Sequence, residues 1–175
     1  LITRQLGDTW VRTIRRWTLY AWFFLGFGLL LGGRWAYMEL GWGGYWAWDP
    51  VENAALMPWL TITAFLHSVM IQEKKGMLKI WNMSLVIITF GLSIFGTFLT
   101  RSGIVASVHS FAASGLGPMF IIFVIISMAF SFGLLIYRRR ALSARSHLDS
   151  FVSRESSFLL NNLALVGACF AILWG

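Results

Sequence analysis

Residues 41–53 concentrate the side chains of this sequence that could do chemistry. The stretch reads GWGGYWAWDPVEN and holds three tryptophans, three glycines and two carboxylates. Glycine lets a backbone turn tightly and approach a flat ligand closely, while tryptophan offers a broad, largely apolar ring. Trp42, Trp46 and Trp48 therefore predict a platform for a large planar apolar ligand. Tryptophans also collect at membrane interfaces.

For two other tryptophans, Trp35 and Trp59, we favour the simpler interpretation of anchors in an aromatic belt. The acids of the central stretch also have a structural interpretation. The run Asp49-Pro50-Val51-Glu52 predicts a helix start in which Asp49 is the N-cap, Pro50 the first helical residue and Glu52 the reciprocal partner of a capping box. We interpret both acids as helix-capping residues first.

His67 lies within an apolar segment, roughly 20 Å along its helix from the tryptophan-rich loop. An ionisable side chain at that depth is commonly functional, and imidazole is a frequent ligand of haem iron. Thr63 and Ala64, one turn earlier, leave room for a bulky group. We favour metal ligation over the alternative, a hydrogen bond from a neutral ring to another helix.

His109 lies in a loop of small residues, TRSGIVASVHSFAASG. It could bind the iron of a haem that the tryptophans hold. Without that stretch, a solvated loop histidine would be the better interpretation. His147 stands in a basic loop, and we assign it no role. Arg34 and Arg101 could each pair with a haem propionate, because guanidinium suits carboxylates, or could simply flank a helix end.

The composition is that of a membrane protein. Of 175 residues, 58% are hydrophobic and 12% are charged, which is more apolar than a soluble domain can bury. The net charge of +7 comes from short basic clusters between apolar runs, so we exclude nucleic acid as a partner. The single cysteine, Cys169, excludes an internal disulfide and a CxxC motif.

We predict an all-α, polytopic transmembrane helix bundle, because a lipid-facing backbone must satisfy its own hydrogen bonds. The predicted organisation is an amphipathic segment on the inner surface, residues 1–16, followed by a transmembrane domain, residues 17–175. Its five spans are predicted at 17–33, 54–72, 80–99, 118–137 and 158–175. The sequence lacks an initiator methionine and stops within an apolar run, so we expect it to be incomplete at both ends.

The basic residues predict the orientation. Arg34 and Arg101 fall on one side of the membrane, and the other twelve Lys and Arg residues fall on the other side. By the positive-inside rule, the tryptophan-rich loop and the loop of His109 both face outward. We expect a bacterial inner membrane with these loops in the periplasm; the mitochondrial inner membrane is the alternative.

The stretch GWGGYWAWDPVENA resembles the signature of the haem-handling WWD family of cytochrome c maturation proteins. The runs FLHSVMIQEKKG, GTFLTRSGIVASVHSFA and SRESSFLLNN resemble the haem lyase branch of that family, the CcmF type, more than its smaller relatives. The resemblance implies a haem lyase subunit that receives haem b from the chaperone CcmE. It joins that haem to the CxxCH motif of apocytochrome c, with other maturation subunits such as CcmH.

The resemblance also implies roles for particular residues. Trp42, Trp46, Trp48 and Asp49 would hold the substrate haem with His109 as a ligand of its iron, and His67 would bind a b-type haem within the membrane. Members of this type carry two outer-loop and two intramembrane histidines, whereas this sequence supplies one of each. We expect this piece alone to be inactive, with the second ligands elsewhere in a longer protein or in another subunit.

Electrons for the substrate iron would come through the intramembrane haem from a quinol, on the resemblance alone. Two other functions compete with the haem lyase. In an electron-transfer b-type cytochrome subunit, His67 would matter and the outer tryptophans would be anchors. A haem transporter would need a polar path through the bilayer, and the intramembrane polar residues are too few to outline one.

Overall fold

The computed structural model describes residues 2, 8–41, 43–111, 115–142 and 154–175. Within these ranges the chain forms five long helices and no strand: α1 Asp8–Glu39, α2 Pro50–Lys75, α3 Lys79–Ser102, α4 Gly117–Arg138 and α5 Arg154–Trp174. Each contains a stretch that is long and apolar enough to cross a membrane. The predicted polytopic helical bundle is confirmed.

Helix α1 is longer than the predicted first span. It runs without a break for 32 residues, so residue 16 is not the end of a helix. The cause is local, because no glycine or proline occurs between residues 8 and 25 to interrupt the helical pattern. Val11 is buried against Ala64 and Phe65 of α2, so the first turns belong to the bundle. Arg4 lies outside the described residues.

Helix α2 is the centre of the bundle. It packs against α1, α3 and α5, while α4 packs against α3. Two of the three apolar clusters include α2: one joins it to α1 and α3 around Val69 and Leu85, and the other joins it to α3 and α5 around Met57, Phe98 and Cys169. The residues of α2 therefore occupy fixed positions relative to three neighbouring helices.

Polar side chains fix the register of α2 against α3. The hydroxyl groups of Thr61 and Thr89 lie 2.7 Å apart. Ser68 donates a hydrogen bond to Asn82, whose amide nitrogen donates to Gln72 at 2.7 Å. In a bilayer such bonds between helices replace those that water would otherwise supply. They fix the rotation of α2, and with it the direction of the separate face that carries His67 towards α5.

Candidate functional site

Asp49 begins α2 as the sequence predicts. Its Oδ2 accepts the backbone N–H of Val51 at 3.0 Å, and Pro50 is the first helical residue. The Oε2 atom of Glu52 accepts the N–H groups of Asp49 at 3.4 Å and of Ala47 at 3.1 Å. The predicted capping box is therefore confirmed.

The same carboxylate also reaches the second of the two loops predicted to face outward, the loop that carries His109. Ser107 Oγ donates to Asp49 Oδ2 at 2.7 Å, and His109 Nδ1 lies 3.3 Å from that oxygen. Ser107 Oγ in turn accepts the backbone N–H of His109 at 3.0 Å. Asp49 thus joins the two loops that were expected to share a compartment. Helix capping alone did not predict this role, because His109 lies 60 residues further along the chain.

The contact determines which nitrogen of His109 is suited to bind a metal. A carboxylate only accepts hydrogen bonds, so Nδ1 carries the proton that faces Asp49. In a neutral imidazole the lone pair is then on Nε2. Proteins commonly orient metal-binding histidines by such a carboxylate partner. The His109 side chain is 29% exposed and that of Asp49 only 10%, so the carboxylate is the more shielded partner.

The tryptophan-rich loop presents its rings in different ways. Trp48 is 64% exposed, and its backbone is in the left-handed region with φ of 58°, which is uncommon for a bulky residue. Its carbonyl accepts a hydrogen bond from Asn53 Nδ2 at 3.1 Å, which holds this turn. The Trp46 ring meets the Trp48 ring edge-on at 6.4 Å. Trp42 lies outside the described residues.

Trp46 also lines a cavity of about 690 Å³ between α1 and α2, together with Trp22, Phe27 and Trp59. Cavities of this size commonly take small organic ligands. The indole Nε1 of Trp46 is buried and has no hydrogen-bond partner within the part of the chain that the structure describes. A buried donor of this kind normally finds a partner, so this end of the loop could serve a ligand with an acceptor group.

A close backbone approach positions the loop on α1. A Cβ atom at Gly33 would lie only 2.8 Å from the carbonyl oxygen of Tyr45, so a side chain there would displace the loop. Tyr45 stacks on Tyr37 of α1, with ring centroids 4.6 Å apart. Gly33 therefore permits the approach that places Trp46 and Trp48.

Two tryptophans that we interpreted as belt anchors have specific contacts inside the protein. The ring of Trp35 packs against His109 at 6.1 Å between centroids. Trp59 stacks on Trp22 at 5.7 Å and donates a hydrogen bond to the Trp22 carbonyl at 3.2 Å. Anchoring alone does not explain these positions, and Trp35 joins the outer site. Its place on α1 gave no signal of this in the sequence.

The two outer arginines differ in their surroundings. Arg101 lies over the ring of Phe111, 4.2 Å from its centroid. Arg34 is exposed on α1, one residue before Trp35. The predicted pairing of either arginine with a propionate stays a prediction.

His67 lies well away from the outer loops. It is 17 positions beyond Pro50, the first residue of α2, which corresponds to roughly 25 Å along the helix. It lines a cavity of about 290 Å³ between α1 and α2, with Thr63 among the lining residues as expected. Ala64 is fully buried in the helix packing instead. The Nδ1 atom of His67 lies 2.7 Å from the side-chain amide of Asn161.

The two candidate ligands thus belong to separate sites. The described ranges contain no group of three or more His, Cys, Asp or Glu side chains that could hold a metal ion. The histidines within these ranges are His67 and His109. His147 lies outside these ranges.

Comparison with known proteins identifies the family. The family model of the cytochrome c assembly protein matches residues 4–106. The cytochrome c-type biogenesis protein CycK of Bradyrhizobium diazoefficiens is 47% identical over the whole chain, and CcmF of Escherichia coli is 46% identical over the whole chain. A solved structure, cytochrome c heme lyase CcmF, has a TM-score of 0.77 and 40% identity over 98% of this chain.

The matched region is only part of each relative. The chain spans 26% of the CycK protein, 27% of the Escherichia coli protein and 25% of the solved chain. The family model nevertheless matches more than half of the present sequence. This chain belongs to the cytochrome c assembly protein family.

Proposed function

We propose that this sequence is part of a cytochrome c haem lyase whose outer loops hold substrate haem b for attachment to apocytochrome c. The observation that carries the proposal is the contact of Asp49 with His109, which joins the tryptophan-rich loop to the second outer loop. The name of the solved relative, cytochrome c heme lyase CcmF, supports the same activity.

At the outer site, His109 binds the substrate iron through Nε2. Asp49 contacts the imidazole directly from the opposite loop. Ser107 supports this contact, because its hydroxyl donates to Asp49 and accepts the backbone N–H of His109. Trp48 offers an exposed ring for stacking on the porphyrin face. Trp42 and Trp46 complete the platform, and the propionates pair with Arg34 and Arg101.

The residues of this chain position the reactants rather than react with them. Each thiol S–H of the CxxCH motif adds across a haem vinyl group: a C–S bond forms, the S–H proton passes to the second vinyl carbon, and no group leaves. The only cysteine of this sequence, Cys169, is buried in the helix bundle, so both thiols come from apocytochrome c. Fixing the haem beside them lowers the entropic part of the barrier.

At the inner site, His67 binds a resident b-type haem. The lining suits such a group, because the imidazole borders a mostly apolar cavity that Leu19, Trp22 and Arg15 also line, and haem sites combine an axial ligand with an apolar pocket. The cavity of about 290 Å³ encloses only part of a haem. When bound, this haem supplies one-electron redox chemistry, with a quinol as reductant.

We infer the setting from the charge asymmetry and from the bacterial relatives. By the positive-inside rule, the loops predicted to carry twelve of the fourteen Lys and Arg residues lie in the cytoplasm of a bacterium, and the outer loops lie in the periplasm. There the chaperone CcmE delivers haem, and apocytochrome c arrives with CcmH. The five candidate membrane spans support this multi-pass topology.

The test compares two substitutions in the full-length protein that contains this sequence. His109→Ala should abolish cytochrome c maturation and leave the absorbance band of the intramembrane haem. His67→Ala should remove that band. Maturation is measured by haem staining of a reporter cytochrome c, and the band by spectra of the purified protein.

Val108→Ala is the matched control for the outer loop, because Val108 is 57% exposed and adjoins His109. It should leave maturation unchanged. Normal maturation in His109→Ala would exclude the proposed outer ligand, and an unchanged band in His67→Ala would exclude the inner one.

A further inference from the structure

Asn161 of α5 faces His67 of α2 across 94 residues of sequence, with Asn161 Nδ2 and His67 Nδ1 2.7 Å apart. The neighbouring Phe158 ring lies 5.9 Å from the imidazole. Both helices are candidate membrane spans. Polar side chains within a bilayer are costly and commonly functional, so this contact between two spans calls for an explanation.

The geometry admits two hydrogen bonds with opposite consequences for a metal. If the amide NH₂ donates to Nδ1, the proton of a neutral His67 is on Nε2, which then cannot bind iron. If the amide turns by half a rotation, its carbonyl oxygen accepts the proton of Nδ1. The lone pair is then on Nε2. The two amide orientations occupy nearly the same volume.

We propose that Asn161 is the positioning residue of His67: with haem bound, its carbonyl oxygen accepts the Nδ1 proton and fixes Nε2 as the iron ligand. This inference rests on the proposed function of His67. A hydrogen bond from the second ring nitrogen fixes the tautomer and ring orientation of a metal-binding histidine and raises its basicity. Asn161 supplies that bond without placing a charge in the bilayer.

The packing around Asn161 supports a fixed placement. The next residue, Asn162, is fully buried, and its Oδ1 accepts the indole N–H of Trp81 at 3.4 Å. Its amide nitrogen donates to the Phe158 carbonyl at 2.8 Å. The bond to Phe158 lies within α5 and fixes the Asn162 side chain, whereas the bond from Trp81 of α3 fixes the rotation of α5 against the bundle. That rotation keeps the Asn161 side chain beside His67.

The experiment uses the full-length protein with its haem. Asn161→Leu keeps a similar volume and removes the hydrogen bond. We expect haem affinity to fall about 10- to 100-fold. The midpoint potential of the remaining haem should rise, because a less basic imidazole stabilises ferric iron less, and the ferric EPR signal should shift. The midpoint potential and the EPR signal report the hydrogen bond to His67. If Asn161 had a purely structural role, its replacement would leave both signals unchanged.

Leu160→Ala is the matched control. Leu160 is the adjacent residue on α5 and is 70% exposed. The haem affinity, midpoint potential and EPR signal of the Leu160→Ala protein should therefore equal those of the wild type. Asn161→Ala repeats the test if the leucine variant does not accumulate.

Loss of the haem band in His67→Ala, together with unchanged affinity and potential in both Asn161 variants, would overturn the inference and leave the proposed function intact. An unchanged band in His67→Ala would overturn both.

Discussion

The two candidate haem-binding histidines have partners of different charge. His109 at the outer end faces the carboxylate of Asp49 at 3.3 Å, whereas His67 within the bundle faces the neutral amide of Asn161 at 2.7 Å. Water can reach the outer site, where the His109 side chain is 29% exposed. His67 and Asn161 lie within candidate membrane spans, where an unpaired carboxylate is costly in free energy; the guanidinium of Arg15, which borders the cavity of His67, is itself paired with Glu73. Depth in the membrane thus favours a neutral partner for His67.

The sites also differ in how they are built. The outer contact joins two loops, and it depends on a helix cap and on the approach of Tyr45 to Gly33. The inner contact joins two helices, α2 and α5, that pack against each other over their lengths. Because loops are easier to displace than packed helices, the outer site should respond more to small steric changes.

The largest predicted effect comes from replacing the amide partner of His67, Asn161, by a carboxylate like the one that faces His109. Asn161→Asp places a carboxylate on an exposed position of α5 within a candidate membrane span. The cost is about 2.5–3.5 kcal/mol for an aspartate at the centre of a membrane helix, and this is the upper bound for Asn161 near the start of α5. We expect a lower free energy of unfolding and less accumulated protein. Thermal unfolding of the full-length protein in detergent, followed by tryptophan fluorescence, measures the loss.

Asn161→Leu serves as the control, because it removes the same hydrogen bond without adding a charge and should be far less destabilising. Equal stability of the aspartate variant and the wild type would contradict the explanation based on depth.

The sequence predicted the elements of both sites better than their partners. Apolar runs longer than a bilayer is thick predict helices whatever their packing, and the run from Asp49 to Glu52 specifies a local cap. His67 and His109 were recognisable by their positions among apolar or small residues. Each of these signals lies within a few residues of sequence.

The partners depend on contacts between distant segments. Asn161 lies 94 residues from His67, and Trp35, which packs against His109, looked like one more interfacial tryptophan. The helical pattern did not predict their placement, which depends on how α1, α2 and α5 pack. The capping role predicted for Asp49 is confirmed, but its second contact with His109 was not predicted, because the cap alone is sufficient to explain the residue locally.

A second prediction tests the dependence of the outer site on its loop. Gly33→Ala puts a Cβ atom 2.8 Å from the Tyr45 carbonyl oxygen. The loop must shift, at a cost of about 1–3 kcal/mol, typical of overpacking. We expect weaker haem binding at the outer site and slower maturation, with the intramembrane haem band unchanged. Haem titration measures binding at the outer site, and separate absorbance bands of the outer haem and the intramembrane haem distinguish the two sites.

Gly32→Ala is the matched control, since a Cβ at Gly32 meets no atom within 4 Å. It should bind haem normally and gain up to about 1 kcal/mol of helix stability. If the Gly32→Ala and Gly33→Ala proteins bound haem equally well, the close approach of Tyr45 to Gly33 would not be needed to hold the tryptophan-rich loop in place.

The smallest predicted effect separates the two roles of Asp49. Asparagine caps helices as well as aspartate does, so Asp49→Asn should leave the free energy of unfolding within about 0.5 kcal/mol of the wild type. It removes the negative charge that faces Nδ1 of His109, and haem affinity at the outer site should fall about tenfold, the lower end for losing such a partner. Asp49→Ala should lose both the affinity and about 1 kcal/mol of stability. Unchanged haem affinity of the Asp49→Asn protein would show that Asp49 acts only as a helix cap. His109 would then need a charged partner no more than His67 does.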